Sequence, residues 1–140
     1  DRDQIKAAAA GRCDIAIANT YYYAQMLGSG DKSQIGAANA VALFWPNQDD
    51  RGTHINISGV GLTAAAKNRE NAIQLMEFLV SDETQQWYAT INHEYPAVHG
   101  INPSDALTTW GEFKSDTLNL SRLGELNADA VRLMDRAGWR

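Results

Sequence analysis

Apolar and polar positions along this chain follow two periods, and the switches between them mark its elements. Residues 1–12 carry Ile5, Ala8 and Ala9 at helical spacing, and Gly11 stops the run. Cys13-Asp14-Ile15-Ala16-Ile17-Ala18 then reads as a buried strand, with Cys13 in the core. Asn19-Thr20 form a cap pair, a helix covers residues 21–27, and Gly28-Ser29-Gly30 ends it. A strand, turn and helix in this order are the unit of an α/β fold.

The apolar stretch 40–45 predicts a second strand, broken by the polar turn 46–52. Residues 54–62 alternate polar and apolar, a third strand that His54 begins. The period then lengthens. Ala72, Ile73, Met76, Leu79 and Val80 share one face of a helix over 68–80. Ser81-Asp82-Glu83-Thr84 starts another, carrying Trp87, Tyr88 and Ile91. Residues 92–103 are irregular and hold two prolines. Trp110 and Phe113 anchor a short segment, and Leu123, Leu126, Ala130, Leu133 and Met134 define a last helix that stops at Gly138. Trp45, Trp87 and Trp110 lie in apolar patterns and are expected in the core. The opening helix is already under way at residue 1, which suggests an upstream part.

Composition narrows the classes. The 140 residues are 44% hydrophobic, enough for a packed core and too many for disorder. The net charge is -5 with no Lys/Arg stripe, so no nucleic-acid surface is expected. Cys13 is the only cysteine, which excludes an internal disulfide and a cysteine zinc cluster. No stretch approaches the ~20 apolar residues of a membrane span.

The chemistry concentrates at Tyr21-Tyr22-Tyr23, where a helix begins beyond the carboxyl end of a strand. Ligands of open α/β sheets bind at such ends. Successive helix residues differ by ~100° in direction. Two adjacent tyrosines at a helix start therefore splay and still reach one point, whereas one of the three must pack elsewhere. Two phenols suit a hard, highly charged cation, which prefers anionic oxygen donors. The free phenol has a pKa of ~10, and a trivalent ion can displace its proton. Phenolates thus favour Fe(III) over Fe(II), Zn(II) or Ca(II). Asn19 and Thr20 add N–H groups and side-chain donors at a helix N-terminus, a setting for a small anion such as carbonate or phosphate.

The stretch from Gly11 through Asn19-Thr20-Tyr21-Tyr22-Tyr23 resembles the dityrosine motif of the periplasmic ferric-ion-binding proteins of bacterial ABC importers. The likeness continues in order through Ser58-Gly59-Val60-Gly61-Leu62, Asn68-Arg69-Glu70-Asn71-Ala72, the junction Phe78 to Gln85, Asn92-His93-Glu94-Tyr95-Pro96, and Leu133-Met134-Asp135-Arg136-Ala137-Gly138-Trp139. The resemblance implies a two-lobed α/β periplasmic binding protein of type II, transferrin-like in architecture, present here as its C-terminal part. It implies Tyr21 and Tyr22 as metal ligands, with Asn19 and Thr20 contacting the anion or the second shell. Tyr23 then packs, and Tyr95 and Pro96 shape the inter-lobe region. Residues 1–51 and 103–140 would belong to the C-terminal lobe and 52–102 to the N-terminal lobe, with crossings near Gly52 and Asn102. The implied partners are an ABC importer permease and the N-terminal half that holds the remaining iron ligands. The implied location is the periplasm, or outside the membrane on a tether.

Catalysis finds little support. There is no G-x-S-x-G elbow, Walker motif or HExxH. His93 and His99 read as solvated loop residues, and Asp49-Asp50 as a solvated turn. Two other functions remain in view: a binding protein for another anion or a sugar on the same fold, and an enzyme using a cleft tyrosine as acid or base. No Lys or His lies close in sequence to Tyr21–Tyr23 to tune such a tyrosine.

Overall fold

The computed structural model describes residues 1–139. Among the described residues there are seven helices: α1 (Arg2–Ala9), α2 (Thr20–Leu27), α3 (Lys32–Asn39), α4 (Arg69–Leu79), α5 (Asp82–Ile91), α6 (Asp105–Thr108) and α7 (Ser121–Ala137). They fall into two compact units. One comprises Asp1–Phe44 and Asn56–Glu112, the other Trp45–Ile55 and Phe113 onward.

In the first unit, α1, α2 and α3 pack on one another. Ile5, Met26 and Ala38 are the buried centre, and Ala18, Tyr22, Tyr23, Leu27 and Val41 close around them. Met26 fills the gap that small neighbours leave, as an unbranched thioether does readily. The periodicity of the chain does not predict α3. Its apolar positions are mostly alanine, so it shows no strong stripe. Its start is nonetheless defined, because the Asp31 carboxylate accepts from the Ser33 amide at 2.8 Å.

The α4–α5 junction is held by polar groups. Ser81 caps α5 through the Thr84 amide. Gln85 is buried. Its amide nitrogen donates to the Leu79 carbonyl at 2.9 Å, and its oxygen accepts from the Ala97 amide at 2.8 Å. A polar side chain satisfied at both ends can occupy a core position. Thr84, Gln85 and Ala89 thus take the inner face of α5, and Trp87 and Ile91, expected to be core, are more than half exposed. Cys13 is likewise only partly buried.

The three predicted strands are extended but form no ladder. Among the described residues the single bridge is parallel, Thr53 to Ser115. Strand hydrogen bonds need a neighbour ~4.8 Å away, and no ladder joins these segments to one another. Their apolar side chains are open: Ile15, Ile17 and Phe44 are exposed by 82%, 73% and 83%.

The second unit is built on the turn at residues 46–53. Trp45 stacks on Phe113 with ring centroids 4.1 Å apart. Gln48 donates to the Lys114 carbonyl and accepts from the Lys114 amide. Arg51 pairs with Asp116 at 3.5 Å. Gly52 has φ +99°, and a Cβ there would lie 2.7 Å from the Lys114 carbonyl oxygen. Only glycine serves both needs. Gly52→Ala is therefore expected to destabilise the chain by at least about 2 kcal/mol. Gly124→Ala, inside α7 with open space around it, should stabilise by roughly 0.5–1 kcal/mol. Urea unfolding of the two variants measures both signs.

Candidate functional site

The site begins where the extended segment 13–18 turns into α2. Asn19 makes the turn at φ -72°, ψ 138°, and its carbonyl accepts from the Tyr22 amide at 3.2 Å. Its side chain does not cap α2. One Asp1 carboxylate oxygen accepts from both the Asn19 amide (3.0 Å) and its side-chain nitrogen (2.8 Å). The Asn19 side-chain oxygen accepts from Asn56 at 3.0 Å. The Asn19 amide group therefore bonds the protein itself, joining the start of α1, the start of α2 and the segment at 56. Thr20 opens α2, whose first turn has no side-chain cap. Its amides keep the partial positive charge of a helix N-terminus.

The three tyrosines separate as helix geometry requires. Tyr21 and Tyr22 lie together, ring centroids 4.4 Å apart and planes tilted by 42°. Tyr22's phenol, acting through hydrogen bonding, is the largest cause that raises the Tyr21 pKa above its ordinary 10.0. Desolvation and the charges of Tyr22 and Glu94 raise it further. Tyr23 points elsewhere. Its hydroxyl donates to the Val41 carbonyl at 3.3 Å, and its ring lies 5.5 Å from Trp110.

Two neighbours escape sequence reasoning. Glu94, in the loop that Gln85 holds, brings its carboxylate to bear on Tyr21. Arg2 stands with its guanidinium carbon 5.5 Å from the Tyr22 ring centroid. No local spacing signals either one, since both arrive through tertiary packing. Tyr95 follows Glu94, and burial raises its pKa. His93 faces the Ser104 hydroxyl at 3.4 Å. Among the described residues no three His, Cys, Asp or Glu side chains gather as a metal cluster. The paired side chains of Tyr21 and Tyr22 offer phenolic oxygens, the donor type that hard trivalent cations prefer.

Residues 2–115 match the family of bacterial extracellular solute-binding proteins. The chain belongs to that family. Over its whole length it is 45% identical to iron uptake protein A1 of Synechocystis, covering 39% of that protein. Among solved structures it is similar to the Trichodesmium protein IdiA (FutA) in complex with iron and citrate, at 48% identity and a TM-score of 0.94, covering all of this chain and 44% of that one. It is also similar to the ferric binding protein of Campylobacter jejuni, at 36% identity and a TM-score of 0.93, again covering all of this chain and 44% of that one. The chain thus spans about two fifths of the length of these relatives. Its fold class is α/β, the two-lobed type II architecture of the ferric-binding structures, of which it carries a part.

The raised phenols set a pH dependence for the metal-free chain. Tyr21 and Tyr95 are held neutral in the fold more firmly than in the unfolded chain. Their contribution to stability is full below the ordinary phenol value and is lost as pH rises through their folded values. Stability measured by urea unfolding should therefore fall above about pH 10, and less steeply in a Tyr21→Phe, Tyr95→Phe double variant.

Proposed function

We propose that this chain is the ligand-docking, C-terminal part of a solute-binding protein that captures Fe(III) and hands it to an ABC permease. Tyr21 and Tyr22 supply two phenolates. A small anion, carbonate or phosphate, sits at the uncapped first turn of α2, near Thr20. Asn19 sets the geometry of that turn from behind. The observation that carries this reading is the pair of adjacent tyrosines at the start of a helix, ring centroids 4.4 Å apart, in a chain similar along its whole length to ferric-binding and iron-uptake proteins.

The chemistry follows from the site. The two tyrosine rings lie side by side at the start of one helix, so both phenols are available to one cation. The cation replaces their protons, and its charge outweighs the cost of ionising them. The chain binds and releases its cargo and carries out no reaction on it. Residues 1–51 and 103–140 form the C-terminal lobe and 52–102 contribute to the N-terminal lobe. Ligands from an N-terminal half complete the coordination when the lobes close. Closure excludes water and strengthens each ionic contact. Such a protein works in the periplasm or tethered outside the cytoplasmic membrane, where its permease receives it.

Titration with ferric citrate, followed by visible absorption, tests the reading. The chain is used alone and fused to the N-terminal portion of the Synechocystis relative. A broad charge-transfer band should appear with iron and weaken in both Tyr21→Phe and Tyr22→Phe. Affinity should rise with pH by about tenfold per unit for each phenol proton displaced. A band only in the fusion means that the N-terminal ligands are required. No band in either form sinks the iron reading and favours a sugar or another anion as cargo.

A further inference from the structure

Arg2 stands against Tyr22 and is held by two contacts, one to that ring and one to Gln25. Its guanidinium donates to the Gln25 side-chain oxygen at 2.7 Å. Its central carbon stands 5.5 Å from the Tyr22 ring centroid, within the range at which a cation is attracted to an aromatic face. Gln25 lies three residues beyond Tyr22 on α2, so both partners share one helix face. Arg2 is the first residue of α1, whose position the Asp1–Asn19 bonds fix relative to α2. The guanidinium therefore has a built seat, with α1 beneath it and Gln25 beside it.

We propose that Arg2 is a positioning residue for the metal-binding tyrosine Tyr22, setting the orientation and electronic energy of its ring. The inference rests on the iron reading above and deepens it. A guanidinium on the face of Tyr22 holds the ring in one orientation before the cation arrives. It also stabilises the ring's π electrons. Those electrons move to Fe(III) in the charge-transfer transition of an iron phenolate. With the positive charge present the transition needs more energy, and without it less. Among the described residues Tyr21 has no cation–ring contact, so the two phenolates are electronically unequal. Lysine would keep the charge but not the planar fork that reaches Gln25.

The test uses the ferric-loaded chain fused to the N-terminal portion of the Synechocystis relative. Charge-transfer bands of the unaltered protein, Arg2→Gln and Arg2→Lys are compared. Far-ultraviolet circular dichroism checks that α1 and α2 remain folded. The band of Arg2→Gln should move to longer wavelength, and that of Arg2→Lys should stay near the original. In a Tyr22→Phe background the Arg2→Gln shift should vanish, because the remaining band belongs to Tyr21. A band that stays in place in folded Arg2→Gln overturns the proposal while leaving the iron reading intact. An unchanged shift in the Tyr22→Phe background overturns the assignment to Tyr22. Absence of a band in the unaltered protein overturns the iron reading, and this inference with it.

Discussion

The site depends on one turn, the point at Asn19 where extended backbone becomes helix. A helix start has amides with no partner inside the helix. Proteins commonly satisfy one of them with the N-cap side chain. Here the Asn19 side chain bonds Asp1 and Asn56 instead. That exchange has two consequences. The first turn of α2 keeps its positive end uncapped, and the turn is tied to two distant parts of the chain. Tyr21 and Tyr22 follow immediately, so their direction is inherited from this junction. The packing of Tyr22 and Tyr23 against Met26, Ala38 and Ile5 then fixes the rotation of the helix about its own axis.

Charge is balanced around the pair in a way that matters for a cation cargo. The charge of Glu94 reaches Tyr21, and Arg2 stands over the ring of Tyr22. The carboxylate disfavours a second negative charge on Tyr21 until a cation is present. Tyr21 is therefore held in its neutral form, and on the proposed reading a strongly charged ion is what converts it. A weakly charged ion gains less from the same exchange. On the proposed reading, discrimination arises from the proton cost as much as from geometry.

The sequence made α1, α2, α4, α5 and α7 legible because each joins an apolar spacing to a stop or cap: Gly11, Gly28, Ser81 and Gly138. It left α3 unread, since alanine packing gives no stripe. The segments 13–18, 40–45 and 54–62 show strand patterns, but pattern reports the preference of a segment and not its neighbour, and no ladder joins them here. Trp87 reads as core by spacing, while Gln85 takes the interior because two backbone groups meet its amide. At the site, the splay of adjacent helix residues separates two tyrosines from a third. The identity of the odd one is decided by Val41 and Trp110, which no local rule brings to Tyr23. Arg2 and Glu94 are invisible for the same reason.

The central claim is that Tyr21 and Tyr22 bond directly to ferric iron. Resonance Raman spectroscopy, excited in the visible band of the ferric-loaded protein, tests it most directly. The account predicts enhanced phenolate ring modes that shift when the tyrosines are ring-deuterated, and that lose one set in Tyr21→Phe and another in Tyr22→Phe. Enhanced modes that ignore deuteration, or that survive intact in both variants, would contradict it.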